Sequence, residues 1–245
     1  MSQQQVNDNL ILVGGKSATG KSASLMGLKN PEGVAYANCE AGKKLPFKSK
    51  FKEFVITDPL QMFELFDWLE QPEQAKYHTI VIDTLTYLLE MYVSLYIATV
   101  KDGRAAWGEF AQYFKNLMQQ KVAACSKNVI FLAHTADKVN ETEMIMETSV
   151  PVQGSLKNNG IESYFSLVLA TKKMKIKDLT PYQNDLLVIT PEEEALGFKY
   201  VFQCKLTKET VNERIRGPLG MFSTKETYID NNMQLVLDRL HEYYS

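Results

Sequence analysis

The octapeptide Gly15-Lys16-Ser17-Ala18-Thr19-Gly20-Lys21-Ser22 has the spacing G-x-x-x-x-G-K-[ST], which wraps a nucleoside triphosphate. Glycines at 15 and 20 let the backbone turn sharply, so that N–H groups from Gly15 to Ala23 converge on phosphate oxygens. Lys21 reaches the β- and γ-phosphates, and the Ser22 hydroxyl ligates Mg²⁺. An apolar run, Leu10-Ile11-Leu12-Val13, precedes the loop. Ala23 to Leu28 follows it and reads as a helix whose positive end faces the phosphates. The chain is expected to bind ATP or GTP with Mg²⁺.

A second run, Thr79-Ile80-Val81-Ile82-Asp83, is a β-branched strand ending in a carboxylate. Asp83 there can hold the Mg²⁺ shell from across the sheet edge, or cap the next helix, or both. Glu40 stands just beyond the strand Val34 to Asn38. It can activate the water that attacks the γ-phosphate, or be a solvated loop residue beside Lys43 and Lys44. His134 ends the strand Asn128 to Ala133, where it can sense the γ-phosphate or merely cap the strand. Arg214 and Arg216, one residue apart on an extended stretch, face the same way. They read either as arginine fingers toward a neighbour's nucleotide or as exposed edge charges. His78 and His241 read as surface residues.

Two lysine groups stand out. Lys43, Lys44, Lys48, Lys50 and Lys52 share one loop with Phe47 and Phe51 interleaved, while Lys172, Lys173, Lys175 and Lys177 follow a strand. Each reads as a solvated face or as a track for a nucleic-acid backbone. Lys16, five residues before Lys21, has the spacing of the signature lysine of ParA/MinD-type ATPases, although that class carries glycines where Ser17 and Ala18 stand here.

These side chains need a scaffold, and the pattern supplies one. Beyond the strands above, Phe54 to Thr57 reads as a strand, and Pro59 to Gln71, Leu85 to Thr99 and Arg104 to Cys125 as helices. Past Asp137 come an exposed strand within Met144 to Val152, a helical stretch Gly154 to Tyr164, and a strand Ser166 to Thr171. Two more strands, Leu186 to Thr190 and Tyr200 to Leu206, flank a Pro-Glu-Glu-Glu turn, and Asn232 to Tyr243 closes as an amphipathic helix. With no repeat or linker, 1–245 reads as one α/β domain: a core over about 8–136, then added edge strands and a C-terminal helix over about 137–245.

The 245 residues are 45% hydrophobic and 23% charged, with net charge −2 and three dispersed cysteines. This excludes a global basic field, a disulfide scaffold and a C-x-x-C zinc site. The polar stretch Met1 to Asn9 has no secretory core, and the apolar stretch Leu85 to Val100, broken by Glu90, is too short to span a bilayer. A cytoplasmic protein without membrane contact is the expectation.

Taken in order, the segments resemble bacteriophage ATP-binding proteins of the RecA-like P-loop class, including the Sak-type single-strand annealing group. The matching pieces are Ile11 to Ser22, Asn38-Cys39-Glu40-Ala41-Gly42-Lys43-Lys44-Leu45-Pro46-Phe47-Lys48, Ile80 to Thr84, Phe131 to Thr135, and Gly217-Pro218-Leu219-Gly220-Met221-Phe222 with Tyr228-Ile229-Asp230-Asn231. The resemblance implies a RecA-like core: a mostly parallel sheet, helices on both faces, and antiparallel strands at one edge. It implies ATP hydrolysis with Glu40 as water-activating base, Asp83 in the Walker B position and His134 as a polar sensor. It also implies self-association into a ring or filament, with Arg214 and Arg216 near trans-acting positions. Single-stranded DNA, in phage recombination or replication, is the implied substrate, and a phage single-strand binding protein an implied partner. No segment corresponds to a separate DNA-binding domain. The alternatives are a partitioning or transport ATPase using Lys16 in trans, and an assembly protein gated by nucleotide without useful hydrolysis.

Overall fold

The computed structural model describes residues 7–101, 103–141 and 143–245. The first six residues of the polar N-terminal stretch lie outside it. Strands are β1 (Leu10–Gly15), β2 (Val34–Asn38), β3 (Lys52–Val55), β4 (Thr79–Asp83), β5 (Asn128–His134), β6 (Ala136–Asn140), β7 (Ile145–Ser149), β8 (Leu167–Lys175), β9 (Phe198–Gln203) and β10 (Tyr228–Asp230). Helices are α1 (Gln61–Leu69), α2 (Leu85–Tyr92), α3 (Gly103–Asn116), α4 (Leu156–Asn159), α5 (Ile176–Leu179), α6 (Pro191–Leu196) and α7 (Met233–Tyr244).

The main sheet has eight strands in the order β10-β9-β8-β1-β5-β4-β2-β3. From β8 to β3 neighbours run parallel, whereas β9 and β10 add antiparallel. The central strands β1, β2 and β4 are buried along their whole length, as expected of strands covered on both faces. One face packs Phe66, Leu88, Phe110 and Phe114 from α1, α2 and α3. The other packs Leu25 and the α7 stripe Val236, Leu237 and Leu240. The expected architecture, a mostly parallel sheet between helices with antiparallel strands at one edge, is what the chain adopts.

Because β5 lies between β1 and β4, all three C-terminal ends meet at one sheet edge. Gly15 pairs with His134, Leu132 with Asp83, and Asp83 with Asn38. Three strand ends and the turn after β2 therefore deliver the phosphate loop, His134, Asp83 and Glu40 to one place.

Several local expectations are corrected. The segment after the phosphate loop is a six-residue 3₁₀ turn, Ser22–Gly27, not a helix reaching Leu28. Ser24 Oγ donates to Lys21 O at 2.6 Å, and Gly27 abuts Asn232 at the start of α7 so closely that a Cβ would lie 2.2 Å from Asn232 Oδ1. The loop is therefore followed by a short turn rather than by a long helix end. Thr84, not Asp83, caps α2. Leu186 to Thr190 is irregular, because the position beside β9 is taken by β10. Leu187 packs instead with Val201 and Tyr228. The Pro-Glu-Glu-Glu turn is the start of α6, with Thr190 and Glu193 forming a capping box. Lys172, Lys173 and Lys175 lie within β8 rather than after it. The hairpin β6–β7 begins two residues after His134, and its first strand had no signal in the sequence.

Candidate nucleotide site

In the loop, Ala18 and Gly20 take positive φ, 60° and 97°. Gly15 is required for packing: a Cβ there would sit 2.0 Å from Thr171 Oγ1 and 2.6 Å from Thr19 Oγ1. These two hydroxyls hydrogen-bond each other at 2.6 Å, tying the loop to β8. Asn231, just past β10, donates to Gly20 O at 2.8 Å and holds the other end. The antiparallel strands added at the edge thus brace the loop.

Lys21 is buried, and its Nζ donates to Gly15 O and Lys16 O at 2.9 Å each. It also lies 3.3 Å from His134 Nδ1. Burial pulls its pKa down to about 8, against the raising pull of Asp83 and Glu40. Burial, and then the Lys21 charge, hold His134 below the ordinary histidine range, so its ring is neutral at pH 7. On its far side His134 Nε2 lies 3.6 Å from Glu40 Oε1. Glu40 Oε2 accepts from Lys43 at 2.7 Å. A continuous chain of groups, Lys21–His134–Glu40–Lys43, therefore runs across the strand ends.

Two polar residues that the sequence reading missed set this chain in place. Asn38 Oδ1 accepts from Glu40 N at 3.0 Å, while its Nδ2 donates to Lys43 O and Glu53 Oε1. Thr86 Oγ1 accepts from His134 N at 3.1 Å. Their signal was faint: an Asn at a strand end and a Thr in the first turn of a helix.

Asp83 is 2% exposed, and burial raises its pKa. Its Oδ2 accepts from Ser22 Oγ and from Tyr36 OH, each at 2.8 Å, while Oδ1 is buried without a partner. A buried carboxylate oxygen without a donor is costly, and a hydrated cation beside Ser22 relieves that cost. Among the described residues no group of three or more His, Cys, Asp and Glu could hold a metal alone. Ser22 and Asp83 therefore fit a Mg²⁺ that arrives with a nucleotide's phosphates and keeps most of its waters. These groups open on a cleft of about 370 Å³, lined also by Tyr200 and Pro46.

Other expected residues lie elsewhere. Lys16 pairs with Asp137 of its own chain at 2.5 Å. Arg214 pairs with Glu147 at 3.3 Å, and the Arg216 backbone pairs with Val168. Both arginines are exposed while Ile215 between them is buried, as the extended stretch predicts. Lys16 and Arg214 line a separate cavity of about 550 Å³ beside the β6–β7 hairpin, and Arg216 lines a smaller one with Glu162 and Glu213. Neither arginine therefore lines the cleft of Glu40 and His134 within one chain. In the first lysine group Lys43, Lys44 and Lys50 pair with Glu40, Glu53 and Glu32. Phe47 and Phe51 are half-buried and pack against the core beside Tyr36. His78 is half-buried and bonded to Thr79 and Asn30, while His241 is exposed.

The Lys16–Asp137 pair is solvent-exposed, and such pairs contribute about 0–1 kcal/mol. Lys16→Ala is expected to leave ATP turnover within about fivefold of the native rate in a phosphate-release assay. Abolished turnover in a folded variant would restore an in-trans role.

Among the described residues no helix is long and apolar enough to cross a membrane. No curated protein sequence matches the chain. Among solved structures it is similar to a DnaB-like replicative helicase, at 13% identity and TM-score 0.44, over 74% of this chain and 51% of that one. The chain thus spans about half the length of that helicase chain. It is also similar to the RadB recombinase, at 18% identity and TM-score 0.41, over 86% of this chain and 92% of that one. The family model described as AAA domain, AAA_24, matches residues 7–200, well over half of the sequence, and the chain belongs to that family.

Proposed function

We propose that the protein is an ATPase that couples hydrolysis to the handling of single-stranded DNA, as in recombination or replication of a phage. The observation that supports hydrolysis best is the Lys21–His134–Glu40 chain beside the Ser22–Asp83 pair. In this reading the N–H groups of Gly15 to Ala23 and the Lys21 ammonium hold the triphosphate, and Ser22 and Asp83 hold the Mg²⁺ that neutralises its charge. Glu40 takes the proton of the attacking water, and neutral His134 hydrogen-bonds that water or the γ-phosphate. Tyr200, standing over Gly20, offers a ring to the nucleoside end.

The DNA half rests on the resemblance to phage RecA-like proteins and on cations at the nucleotide edge. Exposed Lys173 and Lys175 stand where β8 leaves that edge, and exposed Lys138 where β6 departs from it. Self-association that carries Arg214 or Arg216 to a neighbouring copy's nucleotide belongs to the same reading, as does partnership with a phage single-strand binding protein. ATP turnover measured with and without single-stranded DNA at low salt tests it, with stimulation of severalfold expected. Turnover without stimulation or a gel shift removes the DNA half and leaves a plain ATPase.

A further inference from the structure

Tyr36 sits in the middle of β2, 3% exposed, and its hydroxyl is spent on Asp83 Oδ2. That oxygen already accepts from Ser22, so two donors share one carboxylate oxygen while its twin, Oδ1, is buried with none. A carboxylate buried only for packing spreads its donors over both oxygens, since each orphaned lone pair costs free energy. The uneven arrangement fixes which oxygen stands beside the Ser22 hydroxyl. The Tyr36 ring cannot follow a rotating carboxylate, because it is held in the core cluster with Leu25 and Val81 and against Phe51, 6.3 Å between ring centres.

We propose that Tyr36 is a positioning residue: by donating to Asp83 Oδ2 it fixes the carboxylate with that oxygen beside the Ser22 hydroxyl, at the place of a nucleotide-borne divalent cation. The inference rests on the ATPase reading above. The hydroxyl touches neither phosphate nor cation in this scheme; it acts through Asp83. Loss of the hydroxyl frees the carboxylate to turn and share Ser22 between its oxygens, which weakens its hold on the metal but leaves the phosphate loop intact.

Tyr36→Phe keeps the ring and its packing and removes only the hydroxyl. Mn²⁺ affinity of the ADP-bound protein, read by electron paramagnetic resonance, is expected to fall about tenfold or more, the scale of a hydrogen bond to a charged group. ADP affinity in EDTA stays unchanged, and a thermal melt confirms the fold. In an Asp83→Asn background the same substitution produces no further loss, since its effect passes through the carboxylate. Native Mn²⁺ affinity in Tyr36→Phe, or an equal loss with and without Asp83, overturns the proposal. If the native protein itself binds no Mn²⁺ with nucleotide, the ATPase reading falls first, and this inference with it.

Discussion

Glu40→Gln is expected to abolish ATP turnover while ATP binding persists. Glu40 stands between His134 and Lys43 in the cleft and has no bond to the Ser22 hydroxyl, and its side chain is only 11% exposed. General-base catalysis contributes about 10²–10⁴-fold, so turnover should drop by that order. Glutamine keeps the shape and an acceptor for Lys43, so the loop after β2, held by Asn38, stays in place. Phosphate release and the binding of a fluorescent ATP analogue, measured on the same sample, separate the two effects. His134 is the internal control. Its neutral ring is a hydrogen-bond partner, and burial, by lowering its pKa, weakens it as a base, so His134→Gln is expected to cost less than Glu40→Gln. The reverse order would assign the base to His134. Unchanged turnover in Glu40→Gln would support the alternative of a nucleotide-gated assembly protein.

How far this site could be read from the sequence depends on how local each signal is. The phosphate loop is written in eight consecutive residues, and β4 with Asp83 in five, because strand periodicity and a terminal carboxylate sit side by side. Glu40 and His134 were legible as single residues at strand ends. That they approach each other was not, because it follows from β5 lying between β1 and β4, and strand order leaves no trace in any one segment. The same limit hid Tyr36: an aromatic in an apolar strand reads as core, and only the pairing of β2 with β4 brings its hydroxyl to Asp83. Charge patterning misled in the opposite direction. No acid intervenes within the first lysine group, yet Glu32 and Glu53, which flank it in sequence, pair with Lys50 and Lys44. Lys16 likewise drew attention by its spacing, and its partner, Asp137, lies 121 residues away on a hairpin whose first strand had no sequence signal.

Lys21→Met should eliminate ATP binding, and the native protein should bind ATP more weakly as the pH climbs past 8. Burial gives Lys21 a pKa of about 8 instead of 10.5. Below pH 8 the ammonium is present and meets the phosphates directly; above it a growing fraction of the protein must first take up a proton. A triphosphate stabilises the charged form, so binding is linked to proton uptake, and affinity falls by up to tenfold per pH unit between about 8 and 10. Calorimetry at pH 9 in buffers of different ionisation enthalpy should register uptake approaching one proton per ATP. Loss of a charge-assisted contact to two phosphates lowers affinity by about 100-fold or more. Any residual binding by Lys21→Met should carry none of this proton linkage. The sign for folding is the opposite of the sign for binding. Between about pH 8 and 10.5 the unfolded chain holds the Lys21 proton more tightly than the native one, so Lys21 contributes stability that rises with pH across that window. The three buried cysteines, whose thiols burial pushes up, oppose it above pH 9, so the native-minus-Met difference in denaturant melts isolates the lysine. A flat difference, together with ATP affinity constant from pH 7 to 10, would mean that Lys21 keeps an ordinary lysine pKa in the folded protein. Native ATP affinity in Lys21→Met would mean that it is not the residue that meets the phosphates.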